Sequence, residues 1–123
     1  MADVTIDTTS VSLNGNSDFA GSISLIAGSA INVVAPCYIS SDGKLYPASA
    51  SGSVCDGFAG KTYVSGQAAT VFGKGMIFSA SASSLTPGQN LYLSTTAGAL
   101  ATTATNSQAA IARAISTTDI IVL

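Results

Sequence analysis

One stretch of this chain occurs twice. Tyr38-Ile39-Ser40-Ser41-Asp42-Gly43-Lys44-Leu45 returns, one residue longer, as Tyr92-Leu93-Ser94-Thr95-Thr96-Ala97-Gly98-Ala99-Leu100, and each copy follows a proline, Pro36 or Pro87. In both copies apolar residues flank a turn containing glycine. A residue without a Cβ takes positive φ cheaply, and Asp-Gly between strand-forming residues is a strong short-range hairpin signal. Asp42 and Gly43 are therefore the turn residues of one hairpin and Gly98 that of the other. Leu85-Thr86-Pro87-Gly88 places Pro87 and Gly88 where a type II turn wants them, just ahead of the second copy. The repeat predicts a scaffold of paired strands and carries no reaction chemistry.

The rest of the chain fits that scaffold. Ile23 and Leu25 alternate with serines, and Ile31 and Val33 continue after a break at Ala27-Gly28. Residues 54–63 and 69–78 read as strands in which Gly57, Gly60, Gly73 and Gly75 mark bulges or close backbone approach. Two small-residue loops, 48–53 and 80–84, echo each other. Residues 107–115 pose a conflict. Alanine-rich, with Ile111 and Ile115 four apart, they suit a short helix capped by Asn106 or Ser107, yet 111–115 occupies the place that 55–59 holds in the first copy. The repeat predicts a strand there. Ile120-Ile121-Val122-Leu123 is a β-branched run matching Thr70-Val71-Phe72.

Residues 1–20 differ. Val4 and Ile6 alternate with polar residues, the phase slips across Thr8-Thr9-Ser10, and Val11 and Leu13 continue on the opposite parity before the turn-rich Asn14-Gly15-Asn16-Ser17-Asp18. This segment reads as an extended N-terminal arm or as a first strand. The expected fold is all-β: a compact β-barrel or sandwich over 21–123, built from two similar hairpin-containing halves of about 26–78 and 80–123, preceded by the arm.

Composition bounds what such a scaffold does. The chain has 123 residues, enough for one domain, and only 8% are charged, against roughly 25% in an ordinary soluble domain. Its surface is therefore largely Ser, Thr, Ala, Gly and Asn, which can be desolvated against a partner without stranding many ions. That favours a protein built into an assembly. Lys44, Lys61, Lys74 and Arg113 are the only basic residues, so little counterion release is available to drive nucleic-acid binding. The start of the chain has no basic and apolar leader, which predicts synthesis in the cytoplasm. The most apolar run, 26–34, is too short and too interrupted to span a bilayer. Cys37 and Cys55 read as small apolar side chains, with their redox state left open.

Candidate chemistries fail one by one. Gly60-Lys61-Thr62 resembles the end of a phosphate-binding loop, but the required glycine five residues earlier is Cys55, and Tyr63-Val64-Ser65-Gly66 does not open a helix. The chain has no histidine, the usual base for a serine or cysteine nucleophile, and no glutamate to close a calcium loop. Asp42 and Asp56 each precede a glycine, where aspartate supports a turn by bonding nearby backbone. Tyr38 and Tyr92 occupy equivalent places and read as half-buried strand residues. No catalytic residue, metal or cofactor is expected, and no enzyme.

Certain segments resemble the small β-rich capsid decoration, or cement, proteins of tailed bacteriophages. They are Ile26-Ala27-Gly28, the first cassette from Cys37 to Leu45, Asp56-Gly57-Phe58-Ala59, Leu85 to Ser94, Ala97-Gly98-Ala99-Leu100, and Ile111-Ala112-Arg113-Ala114. The resemblance covers 26–123 and leaves the N-terminal twenty residues outside. It implies a virion protein that docks on the outer surface of an assembled capsid, contacts the major capsid protein, reinforces the shell, and acts as a homo-oligomer, commonly a trimer. With it, Val4, Ile6, Val11 and Leu13 become the expected anchors of a capsid-binding arm. The competing expectation is a fibre or receptor-binding β-module of a virion or cell surface.

Overall fold

A computed structural model describes residues 3–6, 12–14, 22–51, 54–79, 85–104 and 108–123. Among them there is no helix. The strands, in chain order, are β1 (Asp3–Val4), β2 (Ser12–Asn14), β3 (Ser22–Ile26), β4 (Pro36–Ile39), β5 (Leu45–Pro47) and β6 (Gly57–Ala59), followed by β7 (Ala68–Phe72), β8 (Ile77–Ser79), β9 (Asn90–Leu93), β10 (Leu100–Ala101), β11 (Ala112–Ala114) and β12 (Asp119–Val122). They form one sheet in the order β3-β7-β6-β4-β5 and another in the order β1-β10-β9-β11-β12-β8-β2, antiparallel throughout. The ladders do not close either sheet into a barrel, and the architecture is sandwich-like.

Removing β1 and β2 from the larger sheet leaves β10-β9-β11-β12-β8, strand for strand the order β5-β4-β6-β7-β3. The duplication extends to single hydrogen bonds. Asp56 N–H donates to Cys37 O at 2.8 Å as Ile111 N–H does to Leu91 O at 2.9 Å. Ala59 N–H donates to Ala35 O (3.0 Å) as Ala114 N–H does to Gln89 O (2.9 Å), and Val34 N–H donates to Ala59 O (2.8 Å) as Gly88 N–H does to Ala114 O (2.7 Å). The repeated units are thus β3–β7 and β8–β12, and the sequence-based halves need correcting. Residues 69–78 are two strands, because Gly75, at φ +96°, turns the chain between them, with Met76 N–H donating to Gly73 O at 3.3 Å. Ile77 therefore opens the second unit. In the matched ladders Ile111 stands with Asp56 rather than Cys55, and Ile120 with Val71 rather than Thr70.

The conflict at 107–115 resolves to strand over Ala112–Ala114. Both alanines are buried, Arg113 points out, and the backbone is held between β9 and β12. Small side chains on the inward face let the neighbouring strands pack closely, which overrides alanine's helical propensity.

Both hairpins form as the cassettes predict. In the first, Ile39 pairs with Leu45 and Tyr38 with Tyr46; Gly43, at φ +79°, donates its N–H to Ser40 O at 2.9 Å, and Asp42 Oδ1 accepts from Lys44 N–H at 3.0 Å. In the second, Leu93 pairs with Leu100, and Gly98 holds φ +80°. Gly98 does more than turn the chain. It donates to Ala48 O at 2.8 Å, and a Cβ there would sit 3.1 Å from Pro47 Cβ, so the second hairpin seats on the first.

The turn ahead of each cassette shows what the repeat has changed. Thr86-Pro87-Gly88-Gln89 is closed by Gln89 N–H to Thr86 O at 3.0 Å, with Gly88 at φ +84°, the type II geometry that the residues predict. The matching turn Asn32-Val33-Val34-Ala35 puts Val34, a β-branched residue, at φ +68°. That conformation costs roughly 1–2 kcal/mol. Val34 is 1% exposed in the main core, and its burial offsets the strain. At Gly88 a Cβ would meet nothing within 4 Å, so a side chain there starts from open space without the burial that Val34 has. Gly88→Val is therefore expected to lose about 1–2 kcal/mol in urea unfolding. A neutral result would show that the turn relaxes out of the left-handed region.

The main core joins the two sheets. Phe58 of β6 packs with Phe78 of β8, ring centroids 6.1 Å apart, among Val4, Val34, Met76, Leu91, Leu100 and Ile120. A second cluster around Ile31, Leu45 and Val71 fills the first unit, and a small one of Ala48, Ala50 and Leu93 lies where the hairpins meet.

Candidate functional site

The residues that first suggested chemistry have structural duties. Asp42, with its Asx turn, also accepts from Tyr46 O–H at 2.6 Å, which holds its carboxyl below the usual carboxylate range and raises the tyrosine. Asp56 does not brace its own turn as expected. Its Oδ2 accepts from Ile39 N–H at 2.8 Å, because β6 lies beside β4 and carries the carboxylate across the ladder. Gly60 packs against the Phe72 ring, Thr62 Oγ1 accepts from Val33 N–H at 3.2 Å, and Tyr63 bridges to Ile31, so this segment is the edge of a β-structure with no phosphate cradle. Cys37 and Cys55 are free thiols. Burial pushes them up to about 12 and about 11 respectively, so both stay protonated at neutral pH and neither is an activated nucleophile. Tyr38 packs near Tyr46, centroids 6.0 Å apart, and against the small cluster between the hairpins; Tyr92 is half-buried. Among the described residues no group of three or more His, Cys, Asp or Glu could hold a metal ion, and no helix is long and apolar enough to cross a membrane.

What distinguishes this molecule is how its sheet edges are covered. Each unit has five antiparallel strands, so its two edge strands run in the same direction. In the second unit the N-terminal residues pair with both edge strands. β1 pairs with β10 (Val4 with Leu100), and β2 pairs with β8 (Ser12 with Ser79, Leu13 with Phe78, Asn14 with Ile77). Both are antiparallel to the edges they cover, so β1 and β2 run in the same sense.

This placement decides between the two readings of the N-terminus and corrects the proposed anchors. The described pieces are edge strands of the domain. Val4 is only 7% exposed, in the main core, and Ile6 packs partly against that core, so Val4 is not free to anchor a capsid and Ile6 is only partly so. The physical reason is that an apolar side chain opposite Leu100 is buried more cheaply in the chain's own core than held in water. Leu13 contributes its backbone to the β8 edge; Val11 lies outside the described residues.

In the first unit the seam between β3 and β5 is zipped at one end only. Ala27 bridges Leu45 in parallel, and Gly28 N–H donates to Leu45 O at 2.8 Å. From there β3 and the β4–β5 turn diverge around a cavity of about 420 Å³, with Ser24, Leu25 and Ile26 on one side and Asp42, Gly43 and Lys44 on the other. β3 is largely exposed, with Ile23 39% and Ile26 43% exposed, and has no charged residue. Sequence reasoning placed β3 but missed this edge. Its exposure follows from the strand order, which no local pattern carries.

No protein family, no curated protein and no solved structure matches this chain.

Proposed function

We propose that this chain is a capsid decoration protein: it binds the outer surface of an assembled bacteriophage shell through the major capsid protein and stabilises it, as a structural component rather than an enzyme. The cassette resemblance motivates the reading, and one feature of the fold supports it. A nearly uncharged β-scaffold exposes a sheet edge at β3, which carries the exposed side chains of Ile23 and Ile26. Natural proteins usually blunt such an edge with lysine, proline or a bulge, and β3 has no lysine or proline. An edge left in that state suits a protein whose working form is an assembly.

A ligand that binds only the finished lattice stabilises it by mass action. Acting as a trimer, three copies engage the shell together and combine modest contacts into avidity. The reading places the protein on the outer capsid surface after synthesis in the host cytoplasm. With charge nearly absent, apolar and backbone contacts dominate, and screening changes them little. Purified protein added to undecorated heads is therefore expected to raise their rupture temperature, with occupancy changing less than about threefold between 50 and 500 mM salt. Occupancy that collapses over that range would show a charge-driven contact and contradict the reading.

A further inference from the structure

We infer that the half-open seam of the first unit is a strand acceptor. It takes one extended, uncharged segment of the shell protein, laid antiparallel along β3 between that strand and the β4–β5 turn. The nature of the occupant rests on the capsid-decoration proposal; the acceptor itself rests on the geometry below.

The two units are the same ladder built twice, so each shows what the other's edge takes. Ser22, Ile23 and Ser24 of β3 stand where Ile77, Phe78 and Ser79 stand in β8: Ile23 pairs with Val71 as Phe78 does with Ile120, and Ser24 with Thr70 as Ser79 does with Asp119. On β8 that edge is occupied by an extended segment, Ser12-Leu13-Asn14, without a charge. β3 and β8 are thus matching edges, and the chain has one N-terminal segment. The segment pairs with the second unit's edge, and among the described residues nothing pairs with the matching edge of the first, which leaves that edge open to an occupant from another molecule.

The backbone of β3 is set for it. Ala27 N–H points inward to Gln67 O at 2.9 Å, and Gly28 N–H points outward to Leu45 O at 2.8 Å. Because inward and outward groups alternate along an antiparallel strand, Leu25 and Ile23 bond inward to β7 while Ser22, Ser24 and Ile26 present N–H and C=O outward. Among the described residues nothing pairs with those three. An incoming strand gains main-chain hydrogen bonds from them and apolar contact from Ile23 and Leu25, the usual division between affinity and specificity in strand addition. The zipped end at Ala27 and Leu45 sets the depth of insertion. The turn faces β3 across the cavity, which favours a single strand over a second whole domain docking edge to edge. The Asp42 carboxylate, already engaged by Tyr46 O–H and Lys44 N–H, sits at the rim and disfavours an acidic occupant.

The test uses the full chain and a synthetic peptide of residues 8–16, which contains the β2 sequence and no ionisable side chain. Titration followed by amide NMR is expected to shift Ser22–Ile26 and Asp42–Lys44, with a Kd between micromolar and millimolar. Ser24→Pro removes an outward N–H and leaves the β7 ladder bonded; it is expected to weaken the peptide at least tenfold. Ala68→Phe fills the slot from β7 without altering β3, and is expected to do the same should the proline variant fail to fold. Shifts confined to Ile77–Ser79, no shift at millimolar peptide, or equal binding by a folded variant would each overturn the acceptor. On undecorated heads the same folded variants are expected to lose at least tenfold in affinity. Heads that bind wild type and variants alike would overturn the shell strand as occupant, and heads that bind neither would overturn the decoration proposal, with the peptide result standing apart from both.

Discussion

Replacing Phe58 with alanine is expected to cost the domain about 3–5 kcal/mol, the range for emptying a fully buried aromatic site. Phe58 belongs to β6 of the first sheet, is 0% exposed, and packs in the core that the second unit builds around Phe78, Met76, Leu91 and Ile120. The substitution therefore opens a cavity between the sheets and weakens the contact that makes two repeated units one domain. Native domains hold only about 5–15 kcal/mol in total, so this single change removes a large share. Thermal unfolding is expected to drop by roughly 10–20 °C. Phe78→Ala is expected to cost a similar amount. Because the rings lie 6.1 Å apart, the double variant is expected to lose about 0.5–1.5 kcal/mol less than the sum of the two single losses. Additive losses would show that the rings fill separate sites and that the interface is held elsewhere.

Deleting residues 2–13 is expected to damage the fold before it damages any docking. The deletion removes Val4 from the core, which alone is worth about 1.5–3 kcal/mol of apolar burial, and strips the pairing strands from β10 and from most of β8. The truncated chain is expected to melt at least 10 °C lower, by about 3 kcal/mol or more. It is also expected to self-associate at micromolar concentration through the bared edges, read as a rise in mass by light scattering. A truncated protein that keeps the full-length protein's oligomeric state and melting temperature would show that β1 and β2 are not integral to the sheet, and would restore the N-terminus as a free arm. The comparison matters for function, because loss of capsid binding on truncation has a structural cause that the arm hypothesis does not distinguish.

Much of this architecture is legible in local chemistry. Asp42-Gly43 and Pro87-Gly88 specify turns through the φ values they permit, and the doubled cassette announces the duplication. The repeat even overrides the alanine-rich helical pattern of 107–115, because Ala112 and Ala114 sit where a buried strand needs small side chains. What the chain does not disclose locally is pairing at a distance. Val34 adopts a glycine-like conformation, a fact visible only once its turn is matched with that of Gly88. Asp56 braces Ile39 across a ladder whose register follows from the whole sheet. Val4 and Leu13 carry the alternation of exposed anchors and of edge strands alike, since an apolar residue opposite polar ones fits either. The open β3 edge is the furthest from reach, because Ser22 to Ile26 reads as an ordinary half-buried strand until the strand order leaves its outer edge without a partner strand among the described residues.

The central claim is that this β-scaffold acts by binding the outside of an assembled shell, and the most direct measurement is cryo-electron microscopy of undecorated phage heads mixed with the purified protein. The account predicts ordered density repeated over the outer lattice, with β3 facing the shell protein. Heads that remain bare, or density confined to a single vertex or the tail, would contradict it.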